Sequence, residues 1–211
     1  MSLYVAPIST RNQFGELLVG MGLTGKAVEV GTHLGHFART LLAGWPGHLT
    51  CVDPYEHAPA AYAEQVPLLE GSHGGDRRLD RHAALARLHP WLHGEGRCTL
   101  LQKTSAEAAL AFEHNSLDFV YLDGDHRTLA VLSDLELWWP RVKPGGILAG
   151  HDIVCPGEGP DGRWGACIQP PVFNFFNVAG NDRGDDRPGL PIYLVCEEGG
   201  LPWSFYVVKP G

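Results

Sequence analysis

What this chain lacks narrows it first. None of its 211 residues fall in an apolar run of 18, so no membrane-spanning helix is expected. The opening MSLYVAPIST has neither the basic segment nor the long apolar core of a secretory leader, and a cytoplasmic chain away from membranes is the expectation. Cysteine is sparse. Cys51, Cys98, Cys155, Cys167 and Cys196 are odd in number and never form C-x-x-C, which argues against a disulfide framework and against a zinc knuckle. Basic residues are outnumbered, with 16 Lys and Arg against 24 Asp and Glu for a formal charge of -8. A nucleic-acid binder needs a basic footprint, so nucleic acid is not expected as a partner. Internal repeats and linker-like stretches are also missing, and 44% hydrophobic content is ordinary for a globular protein. A single domain over residues 1–211 is expected.

What is present is an alternation of short apolar runs and helical patterns. Residues 117–153 form its centre. LDFVYLD ends on Asp123, and GGILAGHD ends on His151 and Asp152; both read as buried parallel strands. Between them Leu129, Leu132, Leu135 and Trp139 recur at helical spacing, until Pro140, Pro144 and Gly145 stop the helix. A right-handed crossover points both strands the same way, so Asp123 and the His151-Asp152 pair should emerge together at the carboxyl edge of the sheet.

Upstream, Thr10 and Gln13 suggest a capping box before a helix bearing Phe14, Leu17, Leu18 and Met21. KAVEVG (26–31), HLTCVDPY (48–55) and RCTLLQ (97–102) read as further strands. Leu79, Leu85, Leu88 and Leu92 mark a long helix, a short one fits 58–69, and Thr104 or Ser105 caps an Ala-rich one. Residues 71–76, 155–165 and 180–189 read as loops, and a helix follows Pro170 and Pro171. LPIYLVC and LPWSFYVVK, joined by EEGG, suit an antiparallel hairpin. The expected fold is α/β: one doubly wound, Rossmann-like sheet of seven strands, mostly parallel, with a C-terminal antiparallel hairpin.

The chemistry gathers at strand ends. Gly31 and Gly35 punctuate a strand-to-helix turn, where glycine lets backbone approach a ligand and helix amides face it. Such a turn alone has an equally ordinary structural reading. Asp53 ends the next strand about 20 residues on, placed to accept hydrogen bonds from a ribose diol. Glu29 lies inside an apolar strand, where a carboxylate needs a partner. Together they predict a nucleoside-type cofactor.

At this point a family resemblance appears. VEVGTHLGHFA (28–38), CVDPY (51–55), FVYLDGDHR (119–127) and DLELWWPRVKPGGILAGHD (134–152) closely resemble the class I S-adenosylmethionine-dependent methyltransferases, nearest the small O-methyltransferase-like group with the LDGDH signature. The resemblance implies S-adenosylmethionine as cofactor, with Gly31 and Gly35 along its methionine part, Asp53 on its ribose and Ser105 near the adenine; Glu29 and Asp123 are further candidate cofactor-binding residues. It also implies, from the catechol O-methyltransferase type, a divalent-metal site at Asp123, His151 and Asp152 that holds the acceptor's oxygens, with magnesium or manganese as the ion. His151 stands where that type has a carboxylate, and imidazole shifts preference from magnesium toward manganese, iron or zinc.

Asp123, His126 and Asp152 are the expected catalytic groups, His126 as a general base for an acceptor hydroxyl. Each polar residue also has a plainer reading. Asp125 suits a helix cap, His33 suits solvent, His36 either ligand or solvent, and Trp138 and Trp139 suit packing. The expected function is O-methylation of a small hydroxylated acceptor. The alternatives are a metal-dependent hydroxylase or hydrolase on the same fold, or a cofactor-binding module without turnover. A dehydrogenase is disfavoured because the turn reads G-x-x-x-G. The expected partner is a small molecule, with a second copy of the chain as the other candidate.

Overall fold

The protein is described by a computed structural model covering residues 2–55, 76–153, 168–177, 189–196 and 202–211. The expected helix over 58–69, most of the three expected loops, the EEGG joint, Cys155, Cys167 and Trp164 lie outside the described residues. The strands are β1 (Leu3–Val5), β2 (Lys26–Val30), β3 (His48–Val52), β4 (Cys98–Leu101), β5 (Leu117–Leu122), β6 (Val142–Gly150), β7 (Ile192–Cys196) and β8 (Pro202–Val208). The helices are α1 (Phe14–Gly20), α2 (His36–Gly44), α3 (Arg77–His89), α4 (Ser105–Ala109), α5 (Thr128–Trp138) and α6 (Gln169–Asn177).

One sheet runs in the order β1-β7-β8-β6-β5-β2-β3-β4. Every pairing is parallel except those of β8, which runs antiparallel to both β6 and β7. The doubly wound sheet and the C-terminal hairpin are as expected, but there are eight strands rather than seven. The extra one is β1, three exposed residues whose pairing comes from β7, Leu3 to Ile192 and Val5 to Leu194. Three residues carry no alternating pattern, so only the partner strand makes them a strand.

Successive residues of β5 feed opposite faces, as the two-residue period of a strand requires. Val120 and Leu122 join Val131, Leu135, Trp138 and Phe176 on one side. Phe119 and Tyr121 join Phe14, Leu18, Phe37 and Leu41 on the other, where the Phe37 and Tyr121 rings stack with centroids 3.9 Å apart. Each such fully buried side chain is worth roughly 1.5–3 kcal/mol.

Two helices face the sheet by a different edge than their leucines suggest. In α5 the buried residues are Val131, Leu135 and Trp138, while Leu129 is 81% exposed. In α3 they are Asp80, Ala84 and Leu88, and Leu79 is exposed. Leu88 is buried as expected, but Asp80 and Ala84 take the inward places beside it, with Asp80 2.9 Å from Arg77 Nη1. At the N-terminus Thr10 is the cap, as expected, but the reciprocal bond is displaced. Thr10 accepts from Asn12 N–H, and the Gln13 side chain accepts from Ser9 N–H, one residue before the expected position.

Chain order reverses between β2 and β5. From β2 the chain moves outward to β3 and β4, then returns to β5 on the other side of β2. Such a switch point opens a crevice at the carboxyl ends of the strands.

Candidate functional site

The β2–α2 turn and the end of β5 meet at that crevice. Gly31 has φ +89, and a Cβ there would stand 2.1 Å from the carbonyl oxygen of Asp123. Glycine is needed at 31 because the chain's own backbone passes, independent of any ligand. The consequence is functional all the same, since the turn and the Asp123 loop are pressed into one site. Gly35, with φ +73, starts α2, and a Cβ there would press on Leu88 at 3.3 Å.

Glu29 is buried at the tip of β2, and its Oε2 has no hydrogen-bond partner among the described residues. Burial and the nearby Asp123 push its pKa well above the carboxylate range, against the smaller pull of Thr32 and Cys51. An orphaned buried carboxyl oxygen costs free energy unless something supplies a donor.

Asp53, at the tip of β3, is in the opposite condition. It accepts from His33 N–H at 2.8 Å and Tyr55 N–H at 2.8 Å, and Arg77 Nη2 reaches its two oxygens at 3.1 and 3.2 Å. The Arg77 guanidinium lies 5.7 Å from the centre of the Tyr55 ring, a cation–π distance. His33 does not point to solvent as expected: its Nε2 lies 3.6 Å from the fully buried Asp80, and burial lowers its pKa. His36 is exposed.

Ser105 follows β4 at the N-terminus of α4, where Thr104 and Glu107 complete a capping box. Its hydroxyl donates to Asp134 at 2.5 Å and accepts from Trp138 Nε1 at 2.9 Å. Burial raises the Asp134 pKa to about 6, against the pull of Ser105. A cleft of about 660 Å³ lined by Pro54, Gln102, Lys103, Thr104 and Glu107 opens beside the ends of β3 and β4.

On the other side of β2, Asp123, His126 and Asp152 converge, each offering a ligand atom within 4.8 Å of the others. His126 Nε2 is 3.3 Å from Asp152 Oδ2 and 3.8 Å from Asp123 Oδ1, with no hydrogen bond aligned to either. Burial lowers its pKa, but Asp123 and Asp152 outweigh that and hold it above the ordinary histidine value. His151 is not in this grouping; its Nδ1 lies 3.1 Å from Asp152 Oδ1 and its ring stacks on Trp203. Burial works against ionisation of Asp152, yet the His151 and His126 imidazoles bring its pKa below the usual value. Asp125 accepts from Arg127 N–H at 2.9 Å, an Asx turn ahead of α5.

Strain marks the same edge. Among the described residues four other than glycine have positive φ, and three of these, His33, Tyr55 and Asp152, stand at strand tips in this crevice; such backbone clusters at functional sites.

Three site residues escaped the sequence reading. Arg11 Nη1 lies 3.2 Å from Asp123 Oδ2, Arg77 holds Asp53, and Asp134 holds Ser105. The spacing of Arg77 to Asp80, one helical turn, was the one available signal. Nothing local marks Arg11 or Asp134.

A family model described as "Methyltransferase domain" matches residues 28–153. Among solved structures, the chain is similar to the O-methyltransferase TomG from Streptomyces achromogenes, solved with SAM. The identity is 13% and the TM-score 0.61, over 98% of this chain and 82% of that one. It is also similar to the O-methyltransferase from Bacillus cereus solved with SAH, at 17% identity and TM-score 0.56, over 97% of this chain and 82% of that one. At these identities the likeness is one of fold. No curated protein matches.

Proposed function

Because this chain belongs to the methyltransferase-domain family, its match running through residues 28–153, we propose that it moves a methyl group from S-adenosylmethionine to the oxygen of a small hydroxylated acceptor. The observation that carries this reading is the backbone contact of Gly31 with Asp123, which puts the cofactor-type turn beside the Asp123–His126–Asp152 group. S-adenosylmethionine supplies, when bound, an electrophilic methyl on a sulfonium. Glu29 would take the cofactor's ammonium, which its orphaned oxygen fits. Asp53 would take the ribose diol, sharing its carboxylate with Arg77, and Ser105 and the adjoining cleft would take the adenine.

The acceptor's hydroxyl proton goes to His126, whose flanking carboxylates strengthen it as a base. Two carboxylates and an imidazole within 4.8 Å also fit a divalent cation, and Asp123, His126 and Asp152 would then hold it while His151 orients Asp152. Such an ion would lower the hydroxyl's pKa and fix its oxygen, and the imidazole favours manganese over magnesium. Once the oxygen is aimed at the methyl carbon, the rest of the task is positioning and exclusion of water.

Calorimetry with S-adenosylmethionine and S-adenosylhomocysteine, then label transfer to hydroxylated acceptors with chelator, Mg²⁺ or Mn²⁺, tests the reading. Heat for both ligands and labelled methyl ether are expected; heat for neither would sink it. The mixed carboxylate–imidazole donor set favours one other reading, a metal-dependent hydroxylase or hydrolase. Acceptor turnover without label transfer would select it.

A further inference from the structure

One cation at this site has no part in the scheme above. We propose that Arg11 receives the α-carboxylate at the methionine end of the cofactor. This deepens the methyl-transfer reading and rests on it.

Arg11 begins the short turn Arg11–Gln13, capped by Thr10 and leading directly into α1. Its Nη1 lies 3.2 Å from Asp123 Oδ2 at the tip of β5. Its charge also acts on Glu29 at the tip of β2, on Asp152 after β6 and on the buried hydroxyl of Tyr121. An arginine in contact with the tip of β5, with its charge felt at the tip of β2, lies beside the switch point, where the methionine end of the cofactor would lie.

Charge complementarity then assigns the ligand group. The amino-acid end of S-adenosylmethionine is a zwitterion. Its ammonium suits the acidic tips of β2 and β5, but its carboxylate would meet Asp123 and Asp152 as like charges and needs a cation between them. Arg77 holds Asp53 and Asp80, and Arg87 holds the Leu34 carbonyl. A guanidinium carries five donors in a planar fork, so it can take a carboxylate while keeping Asp123. Asp123 is then divided, with Oδ2 turned to Arg11 on the cofactor side and Oδ1 to His126 on the acceptor side.

The test is calorimetry on the full chain with two ligands, S-adenosylmethionine and its decarboxylated form, which keeps the ammonium and sulfonium and lacks only the carboxylate. The wild type should prefer the intact cofactor. In Arg11→Ala that affinity should fall about tenfold or more, the decarboxylated ligand should bind as before to within about twofold, and Arg11→Lys should fall between. An unchanged ratio of the two affinities in Arg11→Ala, whether or not both fall, would overturn the assignment. A wild type that binds neither ligand would instead overturn the methyl-transfer reading beneath it.

Discussion

Asp53 and Asp123 stand on either side of β2, each just past the end of a parallel strand, and their surroundings could hardly differ more. The Asp53 side chain is 4% exposed and takes backbone N–H groups and a guanidinium on its two oxygens. Asp123 is 21% exposed, pulled by Arg11 on one oxygen, with His126 near the other and Asp152 facing the same imidazole. The first carboxylate is built into the structure, where it pins two residues of positive φ, His33 and Tyr55. The second belongs to a crowd of charged groups in which, among the described residues, His126 Nε2 has no hydrogen-bond partner. The same place in a strand pattern is thus tied into the backbone on one side and left in a more open charged cluster on the other.

Asp152→Asn should produce the largest effect, and on activity alone. Asn accepts the positive φ of that position, so melting temperature and cofactor affinity should stay close to wild type. Methyl transfer should fall by up to about 10²–10⁴-fold, the range of general acid–base catalysis, because His126 loses a carboxylate that strengthens it as a base. Melting curves, calorimetry and label transfer on one preparation would check it, and a variant that melts early would break the contrast with Asp53.

Asp53→Asn should do the reverse and fail in stability before any ligand is added. It leaves Arg77 and a backbone donor facing an amide, a loss of roughly 2–3 kcal/mol. In a chain of this size that lowers the melting temperature by roughly 5–10 °C. A variant that melts like wild type but no longer binds cofactor would show that Asp53 serves the cofactor alone and holds no part of the fold.

The smallest effect sharpens the comparison from a third carboxylate. Asp134 is half-buried with one hydroxyl donor, Ser105, and its pKa of about 6 lies above the ordinary 3.8. Since the folded value is the higher one, the folded state binds more protons, and the stability this confers is complete below pH 4 and lost as pH rises through 6. Asp134→Asn should therefore stabilise the protein by about 1–2 kcal/mol at pH 8. That gain should vanish near pH 4 in paired melting curves, and a constant difference across pH would refute the burial argument.

The expected βαβ unit, the glycine turn and the hairpin follow from local signals, namely apolar runs of strand length, punctuating Gly and Pro, and charged residues at the strand ends. Local signals were misleading where a distant partner decided the outcome. Leu79 and Leu129 are exposed because Asp80 and Val131 won the inward face. His126 rather than His151 stands between the two carboxylates, because Asp152 turns back with φ +54 and presents one oxygen to each imidazole.

From sequence alone came the alternation of strands and helices, and with it the edge where Glu29, Asp53, Asp123 and Asp152 had to collect, since strand direction and crossover handedness leave little choice. Tertiary structure alone decided which of those acids would be satisfied. Arg11 reaches Asp123 from 112 positions away, and Arg77 closes on Asp53 across a stretch with no strand of its own among the described residues. Partners so distant leave no periodic trace, because only the packed sheet brings their long side chains to the acids they serve.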